Sequence, residues 1–263
     1  MISNTRPNRL NIFSPVFILM LLLPAAASAQ WFDDALPPLP PPAQYGNILI
    51  DRTSTKAGEK PVTFSHWSHR SKYTCKVCHT ELEFDMKVNS TEITEERNKN
   101  GQYCGTQQCH DGKAAFGHTK ENCPKCHNGD ITYGKENFDK TSKFPAAPFG
   151  NKINWSLAAK KKLITPKTTL RENADEKQES FEKKLKLEAD WNNIPAAVFP
   201  HDKHNYWLDC SSCHPDLFNV KKKTTKHFSM VYLLQGKFCG ACHLKIAFPM
   251  NDCKRCHPGI NQQ

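Results

Sequence analysis

Hydrophobic residues along this chain show little of the periodicity that long helices or strands require. A predominantly apolar run extends from Ile12 to Leu23, and hydrophobic and polar residues alternate briefly near Asn47–Arg52. Between Arg171 and Trp191 the chain is charged and free of proline, and Glu and Lys recur four residues apart, so an exposed helix is predicted there. The pattern as a whole predicts a mainly α fold of short helices with much irregular loop and little sheet.

The N-terminal segment has the pattern of a secretory leader. Arg6 and Arg9 precede the apolar run and small residues follow it, so residues 1–29 are predicted to be a signal peptide, with the mature chain beginning at Gln30. The apolar run is shorter than the ~20 residues that a membrane-spanning helix needs. An uncleaved membrane anchor is the alternative interpretation. Because the leader pattern fits a cleaved signal peptide better, we expect an exported protein.

The composition argues against a large apolar core. Only 38% of the 263 residues are hydrophobic, which is little for a chain that must fill its interior without help. The net charge is +10, and removal of Arg6 and Arg9 with the leader leaves +8. A basic chain commonly binds nucleic acid or anionic surfaces, but an exported protein has little access to nucleic acid, and we expect no such partner.

All twelve cysteines fall into six pairs, and a histidine follows the second cysteine of every pair. The six motifs are Cys75, Cys78 and His79; Cys104, Cys109 and His110; Cys123, Cys126 and His127; Cys210, Cys213 and His214; Cys239, Cys242 and His243; and Cys253, Cys256 and His257. Disulfide bonds, which are common in exported chains, give no reason for the histidines. Zinc sites of four cysteines have no use for them, and a thioredoxin-like CxxC motif occurs once per domain.

The arrangement CxxCH is the signature of covalent haem attachment, because two thiols can add to the two haem vinyl groups while the adjoining imidazole coordinates the iron. Five motifs have this spacing, and the second motif has four residues between its cysteines, a longer connection that can bulge and still reach both vinyl groups. We therefore predict six covalently attached haem c groups, with the cysteines as attachment residues and the motif histidines as proximal iron ligands. Porphyrin would then supply much of the core that the polypeptide lacks.

Six further histidines match the predicted haems in number, and they are predicted to be the distal iron ligands. These are His66, His69, His118, His201, His204 and His227. Met230 and Met250 are the competing ligands, although methionine also packs in apolar surroundings. An iron closed by two imidazoles cannot readily bind substrate and has a lower reduction potential than one with histidine and methionine. Low-potential electron transfer without catalysis is therefore predicted.

The chain contains one pattern twice. The pattern first occurs as Phe64, His66, His69 and Cys75. It recurs 135 residues later as Phe199, His201, His204 and Cys210. Residues three apart lie on one side of a helix, so the two histidines of a pair can reach two different irons and hold two haems close together. The repeat predicts a Pro-rich extension at 30–62, a three-haem module at 63–137, a linker with the charged helix at 138–196 and a second three-haem module at 197–263. Within the extension, residues 36–42 are expected to form an extended, stiff spacer.

These motifs resemble the class III multihaem cytochromes c, and in particular the three-haem cytochrome c7 and c3-like modules of metal- and sulfur-reducing bacteria. The resemblance covers residues 63–129 and 198–259, and FxHxxH followed by CxxCH is its most specific part. It implies that His66 pairs with His79, His69 with His110, His201 with His214, and His204 with His243. The third haem of each module departs from the family pattern, and we pair His118 with His127 and His227 with His257 without a counterpart in the family.

The predicted function is electron transfer by a six-haem cytochrome in anaerobic or extracellular respiration, in the periplasm or on the outer surface of a Gram-negative bacterium. The expected partners are redox proteins, either other cytochromes or quinol-oxidising and outer-membrane complexes. One alternative is a multihaem reductase of a small oxyanion, which requires an iron with an open position. Another is a subunit of an outer-membrane conduit, or of a haem filament formed by self-assembly.

Overall fold

The computed structural model describes residues 36, 38–171, 181–189, 194–221 and 229–260. The predicted signal peptide, His227 and much of the predicted charged helix lie outside the described residues. Contacts divide the chain into residues 1–37 and 38–263, and the features below all belong to the second unit.

Secondary structure consists of short elements joined by irregular chain. The α-helices are α1 (His66–Arg70), α2 (Glu95–Lys99), α3 (Cys123–Cys126), α4 (Lys135–Phe138), α5 (Trp155–Lys160), α6 (His201–Asn205), α7 (Met230–Leu234), α8 (Gly240–His243) and α9 (Cys253–Cys256). The strands are β1 (Asn47–Ile50), β2 (Val62–Ser65), β3 (Lys184–Leu187) and β4 (Ala197–Pro200). A π-helical turn spans Val77–Glu81, and 3-10 turns span Thr55–Ala57, Tyr103–Gly105, Lys120–Asn122, Asp139–Thr141 and Cys210–Ser212. Short helices, loops and few strands are what the sequence predicts, and no helix in the described ranges could cross a membrane.

The four strands form two separate antiparallel hairpins, and each hairpin leads directly into a helix that begins with histidine. β1 pairs with β2 in a register that sets Asn47 opposite Ser65, and β3 pairs with β4 so that Lys184 lies opposite Pro200. Helices α1 and α6 begin at the residue that follows β2 and β4 respectively. Each predicted histidine pair therefore lies on one short helix that a hairpin positions.

The predicted helix over Arg171–Trp191 is wrong in its described part, because Lys184–Leu187 forms strand β3. Leu185 and Leu187 are half-buried, whereas the lysines between them are exposed. Helical Glu and Lys pairs stabilise an exposed helix by only ~0.2–0.5 kcal/mol each. Pairing with β4 and partial burial of the two leucines outweigh that contribution.

The predicted linker, residues 138–196, supplies most of a cluster of buried hydrophobic side chains. Trp155, Ala158 and Ile164 come from this segment and pack with Trp67 of α1. Burial of each large side chain of this kind stabilises the fold by ~1.5–3 kcal/mol. The linker is thus part of the core as well as a connection.

The end of the Pro-rich extension is packed against the same unit. The side-chain amide of Asn151 donates to the carbonyl groups of Pro42 at 2.8 Å and Tyr45 at 2.7 Å. Tyr45 is 2% exposed, and its hydroxyl donates to the carbonyl of Ala247 at 2.7 Å. The expected spacer therefore ends in a docked turn immediately before β1.

Truncation of the linker's tryptophan should destabilise the protein strongly. Trp155 is 7% exposed, so Trp155→Ala should lower the free energy of unfolding by about 3–5 kcal/mol, because the cavity cannot close completely. Tyr133 is 42% exposed, and Tyr133→Ala is the matched control, with an expected loss below about 1 kcal/mol. Denaturant unfolding followed by far-ultraviolet circular dichroism measures both. Equal losses in the two variants would contradict a structural role for the linker.

Candidate haem-binding sites

The cysteine motifs share one backbone hydrogen bond. In four CxxCH motifs the histidine N–H donates to the carbonyl of the first cysteine, at 2.8 Å for His127 and 2.9 Å for His214, His243 and His257. This bond spans four residues and closes one helical turn, so both thiols and the imidazole extend from a single turn. The first motif instead runs into the π-helical turn Val77–Glu81.

The wide second motif closes in the same way. The His110 N–H donates to the carbonyl of Cys104 at 2.9 Å, although two more residues separate them than in CxxCH. A left-handed backbone at Gln108, with φ of 72°, helps to accommodate the additional length. The carbonyl of Gln108 accepts from the Tyr73 hydroxyl, and its side-chain amide donates to the Leu170 carbonyl at 3.2 Å. The connection thus bulges, while the ends of the motif are joined by the same backbone hydrogen bond as in CxxCH.

Every motif histidine directs Nδ1 at a backbone carbonyl. The distances are 2.7 Å from His79 to Phe84, 3.1 Å from His110 to Phe116, 2.9 Å from His127 to Lys60, 2.7 Å from His214 to Phe218, 2.9 Å from His243 to Phe248 and 2.6 Å from His257 to Pro195. A carbonyl oxygen only accepts, so Nδ1 carries the proton and the neutral ring keeps a free lone pair on Nε2. Histidines that bind metals are commonly held in this way. All six rings are therefore arranged to bind a metal through Nε2.

Four of the other histidines are anchored similarly. Their Nδ1 atoms lie 2.7 Å from the Gly46 carbonyl for His66, 2.8 Å from Ser65 for His69, 2.8 Å from Lys183 for His201 and 2.9 Å from Pro200 for His204. His118 makes no such bond with any described residue, and His227 lies in a range that the structure leaves undescribed. Of the two histidines without a counterpart in the family pattern, His118 is thus also without such an anchor among the described residues.

Burial keeps several of these imidazoles neutral. It is the main cause that lowers the pKa of His66 to about 3 and the pKa values of His69 and His243 to about 4. Burial is likewise the largest cause of the lowered pKa values of His79, His110, His118 and His204. Neutral imidazole is the form that binds a metal, so protons do not compete for these rings at neutral pH.

Two of the implied ligand pairs have the spacing that one metal ion between them requires. The ring centres lie 6.2 Å apart for His69 and His110, and 6.1 Å apart for His204 and His243. Two imidazoles whose nitrogens each lie ~2.0–2.1 Å from one metal have ring centres about 6 Å apart. The residues present therefore fit an iron ion at these two positions.

The other pairs are joined less closely. Burial, Arg70 and then His79 lower the pKa of His66, so the first implied pair is within electrostatic reach. For His118, burial and then His110 lower the pKa, which places this residue near the second motif of the first copy. Within the described ranges, no ring contact joins His79, His127 or His214 to its expected partner.

The two predicted histidine pairs have nearly identical surroundings. Phe64 stacks on His69 with ring centres 4.3 Å apart and an angle of 28°, and Phe199 stacks on His204 at 4.3 Å and 27°. Each phenylalanine also meets the first histidine of its pair edge-on at 4.8 Å. In the sequence these phenylalanines mark the repeat, and in the structure they hold the rings of the candidate ligands.

A second set of contacts recurs at the middle motif of each copy and was missed in the sequence. Phe116 and Phe248 pack against the histidines of the second and fifth motifs, with ring centres 4.5 Å and 4.3 Å apart. Lys125 and Arg255 lie over these phenylalanine rings, both at 4.9 Å. The available signal was positional, because both cations stand directly before the second cysteine of the third motif in their copy.

Comparison with known proteins agrees with this duplicated geometry. A family model described as cytochrome c7 and related cytochrome c matches residues 62–128 and again residues 197–258. A solved c7-type three-heme cytochrome domain is 36% identical, over 29% of this chain and 93% of that domain, with a TM-score of 0.27. The chain belongs to the cytochrome c7 family. No curated protein matches it.

A multihaem cytochrome and a hexaheme fragment of that same cytochrome are also similar to this cytochrome c7 chain. The C-terminal hexaheme fragment of GSU1996 is 26% identical, over 84% of this chain and 99% of the fragment, with a TM-score of 0.27. The dodecaheme cytochrome c GSU1996 is 24% identical, over 82% of this chain and 75% of its own, with a TM-score of 0.28. The family assignment rests on the two matched segments and on the identity with the three-heme domain.

Membership of the cytochrome c7 family implies haem c as cofactor and electron transfer as function. The twelve cysteines of this chain fit that cofactor, because all lie in the motifs and none forms a disulfide in the structure. Burial is the main cause that raises the pKa values of the Cys78, Cys104 and Cys239 thiols to about 12. These sulfur atoms therefore lie in the low-polarity surroundings that suit thioether bonds.

Two glycines should prove essential to the middle motifs of this cytochrome. A Cβ on Gly105 would lie 1.7 Å from the Asn98 carbonyl oxygen, and one on Gly240 would lie 1.9 Å from that of Leu233. Gly105→Ala and Gly240→Ala should therefore each lower the free energy of unfolding by about 3 kcal/mol or more. The measurement is denaturant unfolding of the purified holoprotein.

Gly58→Ala is the control for these two variants. Gly58 has a φ of 79° and no heavy atom within 4 Å of a built Cβ, so alanine there meets backbone strain of about 1–2 kcal/mol without a clash. If Gly58→Ala were as damaging as Gly105→Ala, the close approach of α2 and α7 to the middle motifs would not be the reason for glycine.

Proposed function

We propose that this chain is a six-haem electron carrier built from two three-haem modules, residues 63–137 and 197–263, joined by the linker 138–196. The observation that carries the proposal is the anchoring of ten histidines through Nδ1, in a pattern that repeats between the copies. The repeat also includes the hairpins that precede the histidine pairs. The carbonyl of Gly46, directly before β1, anchors His66, and the carbonyl of Lys183, directly before β3, anchors His201.

The proposed ligand assignments come from the sequence pattern and the family resemblance, and the ring distances support two of them. The twelve motif cysteines would hold six haems, and the iron pairs would be His66 with His79, His69 with His110, His201 with His214, and His204 with His243. His118 with His127 and His227 with His257 complete the set, with Met230 and Met250 as the competing ligands. Met250 is 8% exposed, a burial that suits either a ligand or ordinary packing.

The polypeptide has two tasks in this proposal, which are to orient the imidazoles and to shield them from water. When bound, haem supplies an iron that exchanges one electron reversibly between ferrous and ferric states. The backbone carbonyls fix the tautomer and direction of each imidazole, so that Nε2 is presented to the metal. Phe64 and Phe199 stack on the rings of His69 and His204 and exclude water, and this burial lowers the pKa values of the two imidazoles and keeps them neutral.

Closure of each iron by two imidazoles makes the chain a carrier and not an enzyme, and favours low reduction potentials. Export through a cleaved leader at residues 1–29 would place it in the periplasm or on the outer cell surface, where redox proteins are its partners. The paired histidines on α1 and α6 support this reading, since each short helix can ligate two neighbouring haems and bring them within range for rapid electron exchange.

Haem stoichiometry tests the attachment sites directly. The native holoprotein should give six haems per chain in a pyridine haemochrome assay combined with intact mass. The double variant Cys104→Ala and Cys109→Ala should give five, because the wide motif closes like the others and is expected to carry haem. Ser211→Ala, within the fourth motif but not a cysteine, is the control and should retain six. Five haems in the native protein would remove the wide motif from the proposal.

Removal of one distal ligand should open one iron. His69→Ala is expected to convert one of six low-spin irons to a high-spin state, because the site then lacks its second imidazole. Electron paramagnetic resonance of the oxidised protein measures the change, and His204→Ala should reproduce it in the second copy. Ser68→Ala, at the neighbouring position on α1, should leave the spectrum low-spin. An unchanged spectrum in both histidine variants would refute these ligand assignments.

A further inference from the structure

The two copies meet at the first motif of copy one. The Lys76 N–H, within this motif, donates to the Trp207 carbonyl of copy two at 3.0 Å. The hydroxyl group of Thr80, which follows the first motif histidine, lies 3.3 Å from that of Ser212, which lies within the fourth motif. The first motif of one copy thus lies against the other copy, although the linker joins them in sequence through the third and fourth motifs.

Arg70 lies at this meeting point. It is the last residue of α1, and its guanidinium carbon lies 5.8 Å from the ring centre of Trp155 in the linker and 5.7 Å from that of Trp207 in copy two. The side chain is half-buried, and no carboxylate of the described chain forms an ion pair with it. The corresponding residue of copy two is Asn205, so this charge has no counterpart in the repeat.

The field of Arg70 reaches candidate ligands of both copies. His66 lies one helical turn before Arg70 on α1, and Trp207, over whose ring Arg70 lies, donates its backbone N–H to the carbonyl of His204 at 2.9 Å. A fixed positive charge close to a bound metal favours addition of an electron to that metal.

We propose that Arg70 is the fixed positive charge of an electron-transfer junction between the copies, lying between the site of His66 and His79 and the site of His204 and His243. This inference rests on the proposed function. An electron that crosses the junction oxidises one iron from ferrous to ferric and reduces the other from ferric to ferrous, so no further oxidant or reductant is needed. The copies would then exchange electrons at the first and fifth motifs instead of between the third and fourth.

Variants of Arg70 test the charge separately from the packing. Arg70→Gln should lower the reduction potentials of two haems. The one-electron equilibrium constant for reduction of each should fall by about threefold to tenfold, and a tenfold fall corresponds to about 59 mV. The other four should change by less than twofold. Arg70→Lys keeps the charge and should restore most of both potentials. Haem-resolved potentials from redox titrations followed by nuclear magnetic resonance are the measurement.

Two further variants complete the design. Arg70→Met keeps an unbranched stem between the tryptophans and should match Arg70→Gln, so it replaces that variant if glutamine prevents folding. Arg52→Gln removes a charge of the same kind from an exposed position and should leave all six potentials in place. Haem content and the thermal midpoint of each variant show whether the sites remain assembled.

The inference is overturned if the neutral variants shift no potential or shift all six alike. It is also overturned if Arg70→Lys shifts the potentials as much as the neutral variants do. It is overturned as well if the potentials that shift belong to haems other than those of the first and fifth motifs. A native protein with fewer than six redox-active haems would instead contradict the proposed function. The two failures are thereby distinguishable.

Discussion

The hydrogen bond from histidine Nδ1 to a backbone carbonyl is the interaction on which the arrangement of sites depends. It assigns the ring proton to one nitrogen and turns the other towards the place of the metal. The acceptors belong to hairpins and loops that are otherwise unremarkable in sequence, such as Gly46 before β1 and Lys60 before β2. Short strands therefore matter here less for their own stability than for the carbonyls that they hold in position.

Chemistry was easier to predict from the sequence than packing. Cysteine and histidine spacing reveals candidate attachment sites because covalent geometry permits few alternatives, and FxHxxH marks both helices that carry histidine pairs. Strand β3 was missed because its lysines also satisfy a helical charge pattern, and only a partner strand decides between the two. The carbonyls of Lys60 and Pro195 could not be foreseen from residue type, since any residue offers the same acceptor.

The apolar core explains why the linker has more than a connecting role. Trp155, Ala158 and Ile164 join Trp67 beside α1, and half-buried Trp207 from the second copy packs against the same cluster. Four of the nine buried hydrophobic residues in the described part of the chain belong to this cluster. Side chains of the linker therefore pack against a helix of the first copy and against Trp207 of the second.

Duplication supplies two similar sets of sites, but the surroundings are not duplicated. The linker packs beside α1, the second motif is wide in one copy and narrow in the other, and Arg70 stands where the other copy has Asn205. Identical sites would have equal potentials and no preferred direction for an electron. Differences in fixed charge and burial shift the potential of a bound iron without any change of ligand. The departures from the repeat are therefore the places where a direction of flow can arise.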